Sequence, residues 1–246
     1  MCTVLLRFDP TSRWPVLLGA IRDEFVERSW DPPARHWSGP WAGFVGGRDR
    51  TAGGTWLAVD PSPERPAVAA VLNGKRRDPD PTAEPRPTRG ELVLRALAGD
   101  GLPRGDELAR YDRFHLLVAT SASAELWTWD GEALAHRPLA GPHHLIVNAG
   151  LDAADDPLVP HFAPLLAAVP DPDLPDGWGG WPGLLTGDGL AGDDERALVV
   201  AKEIEGHAYA STSAALVAIA ADGRVRYDFT ATPAAPASWV AVPIDA

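Results

Sequence analysis

Cys2 is the only cysteine in the 246 residues, and it stands where removal of Met1 leaves a thiol and a free α-amine on one residue. An α-amine titrates at about 7.7 to 8 and a thiol at about 8.5. Near neutral pH a proton can therefore move between them directly or through one water. Such a residue is a nucleophile carrying its own base and needs no separate histidine. A small second residue is compatible with methionine removal, and the amine is available as a base only once Met1 is gone. Arg22 and Asp23 supply a cation and an anion at the end of an apolar run, where a neighbouring strand could bring them beside residue 2. The competing reading is that Cys2 is a small, buried hydrophobe.

Other chemistries find less support. Gly46, Gly47, Gly53 and Gly54 match neither a dinucleotide fingerprint nor a phosphate-binding loop. His143 and His144 are adjacent, so on a strand they face opposite sides and cannot ligate one metal from the same face. With one cysteine there is no internal disulfide and no cysteine cluster for zinc, and no metal is expected. The formal charge of -12 repels nucleic acid and anionic membrane. Its densest basic cluster, Lys75-Arg76-Arg77, reads as a solvated turn beside Asp78 and Asp80. No run approaches the roughly 18 to 20 apolar residues of a membrane span, and the start of the chain lacks a signal-peptide pattern. The expectation is a cytoplasmic protein with a small-molecule ligand.

The elements that must position these residues follow from the apolar runs. Residues 3–8 read as a buried strand, 9–12 as a turn and 16–21 as the returning strand, a hairpin that carries Arg22 back toward Cys2. Pro32-Pro33 and Ser38-Gly39-Pro40 break structure, with Trp30, Trp37 and Trp41 interleaved as packing residues or the beginnings of a ligand box. Gly46-Gly47-Arg48-Asp49 and Gly53-Gly54 flank a turn. Strands are expected at 55–59, 67–72, 114–119, 125–129, 133–139 and 144–147, helices at 91–98 and 158–169, and a last hairpin at 214–220 and 224–229. Residues 77–88 read as an exposed connection and 196–203 as a short helix or strand. Residues 170–192, rich in Pro, Gly and Asp with Trp178 and Trp181, read as a lid, a variable insertion or an ordered surface loop. At 45% hydrophobic the chain can bury a large core as one domain over 1–246, and no composition shift divides it.

Several blocks occur in a telling order: Met1-Cys2-Thr3; Arg22-Asp23-Glu24-Phe25; Gly47-Arg48-Asp49; Ala52-Gly53-Gly54-Thr55-Trp56-Leu57; Val71-Leu72-Asn73; Arg89-Gly90-Glu91-Leu92; Tyr111-Asp112-Arg113-Phe114-His115; and Val147-Asn148-Ala149-Gly150. Together they resemble the NRDE family, also called the transport and Golgi organisation protein 2 family. The resemblance implies an α+β fold like that of the N-terminal-nucleophile hydrolases, a four-layer αββα sandwich with two antiparallel sheets. It also implies chemistry similar to that of the cysteine-type choloylglycine hydrolases and penicillin V acylases. On that resemblance Asn73 contributes its amide to an oxyanion hole, whereas on its own it reads equally as a turn asparagine. Asn148 would help hold the nucleophile's amine and the substrate, completing a catalytic set of Cys2, Arg22, Asp23, Asn73 and Asn148. Members of this branch are also linked to haem handling and, in eukaryotes, to secretory-pathway organisation and mitochondria.

Two departures bear on activity. Ile21 replaces the asparagine that opens the family's Asn-Arg-Asp-Glu motif. Ala210-Ser211-Thr212-Ser213 stands where the family commonly shows Gly-Thr-Arg-Ser, removing an arginine that could orient a carboxylate. A hydroxyl cannot replace a planar cation. Three readings result: an N-terminal cysteine amidohydrolase acting on a non-peptide C–N bond without a cofactor; a haem-binding or haem-trafficking protein on an inactive scaffold; and a noncatalytic interaction protein.

Overall fold

In the computed structural model, which describes residues 2–75, 86–174, 177–235 and 238–244, the first hairpin is the spine of the larger sheet. β1 (Cys2–Phe8) and β2 (Val16–Phe25) pair antiparallel with Cys2 opposite Arg22 and Phe8 opposite Val16. Both strands are apolar at consecutive positions because both of their faces are covered. Val4, Leu6, Val16, Leu18 and Ala20 point into the core between the sheets. Leu5, Leu17 and Ile21 point outward under a helix layer.

The labels number the remaining strands along the chain: β3 (Trp30–Ala34), β4 (Val45–Asp49), β5 (Leu57–Asp60), β6 (Ala67–Asn73), β7 (Phe114–Thr120), β8 (Ala124–Trp129), β9 (Leu134–Pro138), β10 (His143–Val147), β11 (Gly150–Leu151), β12 (Ala201–Ile204), β13 (His207–Ile219), β14 (Val225–Thr230) and β15 (Val240–Ala241). The first sheet runs β11-β10-β1-β2-β13-β14-β15, with β12 pairing β13. The second is a meander from β3 to β9 in chain order. Between the sheets, Leu6, Leu18, Val217 and Phe229 meet Val45, Leu57, Leu72, Leu117 and Leu126.

Helices cover the outer faces. α1 (Gly90–Ala98) and α2 (Gly105–Ala109) lay Leu92, Val93, Leu97 and Leu108 over Ala58, Ala69 and Leu116 of the second sheet. Gly99 ends α1 in the left-handed region at φ 78°. α3 (Leu158–Ala168) and α4 (Trp181–Leu184) cover the first sheet with Phe162, Leu166 and Trp181 over Leu5, Leu17 and Leu216. The result is an α+β, four-layer αββα sandwich, as the resemblance implied.

Three segments differ from expectation. Residues 30–34 form a strand despite Pro32 and Pro33, because β3 is the sheet's edge and a missing N–H there breaks no inner ladder. Gly46-Gly47-Arg48-Asp49, expected only to flank a turn, is strand β4, and the turn follows it before Gly54. Its glycines give way to neighbours, since a Cβ on Gly47 would lie 2.3 Å from the Trp56 ring. The segment 170–192 is not a lid over the site: Leu174, Trp178, Trp181, Leu184 and Leu185 are buried in the outer layer of the first sheet. The last hairpin is also longer than its apolar run, because β13 extends back to His207 and pairs with β2 from Val16 to Phe25. No helix among the described residues is long and apolar enough to cross a membrane. Arg76 and Arg77 of the basic cluster, most of the 77–88 connection, and Met1 lie outside the described residues.

Candidate active site

Strand pairing builds the site. β1 places Cys2 opposite Arg22. β13, on the far side of β2, places Ser211 opposite Asp23 and Ser213 opposite Arg22, so Thr212 is the extra residue of a β-bulge. Ser211 Oγ donates to Asp23 Oδ1 at 2.5 Å, and Tyr209 Oη donates to the Asp23 carbonyl at 3.0 Å. Thr212 Oγ1 accepts from Arg22 Nη1 at 2.9 Å and donates to the Arg22 carbonyl at 3.2 Å. The position that lacks the family's arginine thus clamps another arginine.

Arg22 is only 4% exposed. Its guanidinium lies 4.5 Å from the centroid of the Trp56 ring, and its Nη2 is 3.7 Å from both Glu24 and Asp49. Asp49 also accepts from Arg28 Nε at 2.6 Å and from the backbone amides of Thr51 and Ala52 at 2.9 Å each. Burial opposes its charge, but the Arg28 bond and the two amides outweigh burial and hold the carboxyl below its ordinary range. At Asp23 burial wins: it pushes the carboxyl up to about 6 against the pull of Ser211, Lys202 and Arg22. Burial also pushes the Cys2 thiol up, and the Asp23 charge adds to this. Arg22 and the Asp23 backbone N–H, which donates to the sulfur, act the other way.

Cys2, Arg22, Asp23 and Asn73 line one cavity of about 510 Å³, together with Trp56, Asp49 and residues 86–90. Cys2 is half-buried and Asn73 exposed. Asn148 does not line the cavity. It stands behind it, donating from Nδ2 to the Asn73 carbonyl at 2.8 Å. The β1–β10 pairing ends with Val4 opposite Ile146, and Asn148 stands in the turn between β10 and β11. The Asn148 Oδ1 is buried and has no hydrogen-bond partner among the described residues.

The sequence reading missed several supports. His115 on β7 is 5% exposed; its Nε2 lies 3.3 Å from the Asn148 carbonyl and its Nδ1 2.9 Å from Thr128 Oγ1. A carbonyl only accepts, so Nε2 carries the proton and Nδ1 accepts from Thr128. Burial lowers the His115 pKa and keeps the ring neutral, as that pattern requires. Asp49, Trp56, Arg89 and His115 all lie inside blocks quoted for the resemblance, which was the available signal. Ser211 and Thr212 were marked only as a departure from the family's Gly-Thr-Arg-Ser, with no signal for the clamp, because a bulge is a feature of pairing.

Two antiparallel sheets packed face to face between helix layers make this an α+β sandwich protein. More narrowly, the family model for Transport and Golgi organisation 2 matches residues 1–158, and the chain belongs to that family. The match covers β1, β2, the whole second sheet, β10 and β11; the Ser211–Thr212 bulge lies beyond it. No curated protein matches the chain significantly.

Proposed function

We propose that the chain is an N-terminal cysteine amidohydrolase that cleaves a non-peptide C–N amide bond in a small molecule. The observation that carries this reading is the shared cavity of Cys2, Arg22, Asp23 and Asn73. After Met1 is released, the Cys2 α-amine takes the thiol proton and Sγ attacks the amide carbonyl carbon. The oxyanion accepts from the Asn73 amide. The C–N bond breaks as the α-ammonium returns its proton to the leaving nitrogen, leaving a thioester. Water then gives a proton to the α-amine and attacks the thioester carbonyl. The C–S bond breaks, the thiol re-forms and a carboxylic acid leaves. No cofactor enters any step.

The supporting residues fit these roles. Asn148 Oδ1 is a buried acceptor in the turn after β10 and suits the freed ammonium, while Asp23 and Arg22 fix the charge and orientation of the terminus. Because burial raises the thiol, the reaction needs a proton acceptor beside the sulfur, and the amine is that acceptor. Residues 1–246 are read as one catalytic domain, acting in the cytoplasm.

The haem alternative has less to rest on. A haem iron takes His, Cys, Met or Tyr as its axial ligand, and the described residues lining the cavity include none of these but Cys2. Cys2, the proposed nucleophile, is thus the one described candidate for an axial ligand in that cavity. The test combines intact mass, a thiol-directed acylating probe and a panel of acyl amides. The expected result is loss of Met1, labelling only at Cys2 and amine release, with the last two abolished in Cys2→Ala. A chain that keeps Met1 after expression with active aminopeptidase sinks the mechanism. Saturable haem binding by Cys2→Ala, with no hydrolysis by the wild type, moves the carrier reading ahead.

A further inference from the structure

We propose that the cavity selects amides bearing an anionic oxygen group, with Arg89 as the residue that binds that group. The inference rests on the hydrolase reading and names its substrate class. Among the described residues four arginines line the cavity, and three are answered by carboxylates: Arg22 and Arg28 by Glu24 and Asp49 within 3.7 Å, and Arg86 by Asp112 at 3.3 Å. Arg89 differs. Its Nη1 donates to the Arg113 carbonyl at 3.1 Å, and among the described residues no carboxylate lies within 4 Å of its guanidinium. Burial lowers its pKa, and the charges of Asp112, Cys2 and Glu24 offset that only in part. A guanidinium has five N–H donors in a planar fork that fits two oxygens of a carboxylate or phosphate. With one donor tied to Arg113, the rest are available to a ligand in the cavity.

The placement couples recognition to chemistry. The Arg113 carbonyl that anchors Arg89 also accepts from the Gly74 backbone N–H at 2.9 Å, one residue past Asn73. The anion site and the oxyanion amide are therefore mounted on the same strand end. Arg89 is held from the other side by close backbone contact, since a Cβ on Gly54 would lie 2.6 Å from Gly90. An amide with its carbonyl at Cys2 and Asn73 would reach Arg89 with an acidic substituent. Arg89 thereby supplies, from the start of α1, a cation that Thr212 cannot supply from β13.

The test is protection of Cys2 in the processed chain from the neutral alkylating agent iodoacetamide, read as the ratio of labelling rates with and without ligand, so that altered thiol reactivity in a variant cancels. The ligands are N-acetylglycine, inorganic phosphate and the neutral N-acetylglycinamide. At least one anion should protect saturably where the neutral amide at equal concentration does not, and which anion protects separates a carboxylate site from a phosphate site. Arg89→Ala should weaken that protection about tenfold or more, Arg89→Lys should keep part of it, and Arg86→Ala should keep it. Equal protection by the neutral amide, no protection by either anion, or undiminished protection in both Arg89 variants overturns the proposal. Anion protection with no hydrolysis of any amide leaves Arg89 standing and removes the hydrolase reading; hydrolysis of neutral amides with no anion protection does the reverse.

Discussion

Asp23 is where residue chemistry and stability conflict. A carboxyl at about 6 when folded and 3.8 when unfolded binds more protons in the folded state between those values, so stability falls as pH rises from about 4 to 6 and stays lower above. A shift of about two units corresponds to about 3 kcal/mol. Asp23→Asn should therefore flatten that slope in denaturant melts and be the more stable protein at pH 7. The same substitution removes a charge that raises the Cys2 thiol, so its labelling profile should move to lower pH while amide turnover falls, because the terminus loses its anion. A labelling profile unmoved by Asp23→Asn would contradict the coupling. His115 acts at one remove, through Asn148. His115→Leu should lower kcat on the order of tenfold to a hundredfold through misplacement of the asparagines, with Cys2 labelling by a small probe little changed.

At the scale of elements, close backbone approach decides where side chains stand. Trp56 lies over Gly47 and under Arg22, so Gly47→Ala should displace the indole and with it the guanidinium. Gly54 and Gly90 bring the start of α1 against the loop before β5, and a Cβ on either meets backbone at 2.6 to 2.8 Å. Overpacking of this kind costs about 1 to 3 kcal/mol. Thermal melts and turnover should show both losses for Gly54→Ala and Gly47→Ala, whereas Gly43→Ala, which has nothing within 4 Å, should be nearly silent. Equal melting temperatures for all three would mean that these contacts relax freely. The bulge at Thr212 works in the same way, since the extra residue turns a hydroxyl onto Arg22 that a regular strand would have aimed elsewhere.

Across the whole molecule, four layers separate support from chemistry. The outer layer on the first sheet, with Trp178 and Trp181 buried in it, contributes none of the described residues that line the cavity. Trp181→Ala should cost about 3 to 5 kcal/mol in unfolding measurements, yet leave Cys2 labelling per folded molecule unchanged. A changed labelling rate in the folded fraction would restore a lid-like role to the segment.

How much of this was legible beforehand follows from the range of each interaction. The β1–β2 hairpin, the strand ending at Asn73, helix α1 with its terminal Gly99, and helix α3 were readable because apolar period, turn residues and caps act within about ten positions of the chain. Cys2 and its facing Arg22 were readable for the same reason, being joined by one hairpin. Asn73 and Asn148 could be named only through resemblance, since nothing local distinguishes a strand-end asparagine in a site from one in a turn. Strands β3 and β4 were hidden because Pro and Gly signal breaks locally, and only an edge position and the bulk of Trp56 make them strands. The Thr212 clamp on Arg22, the chain from Thr128 through His115 and Asn148 to Asn73, and the carboxylate-free Arg89 join residues from separate strands and loops. Those pairings exist only once distant strands are in register and the layers are packed, because register and burial, not residue type, determine which polar atoms find partners and which are left for a ligand.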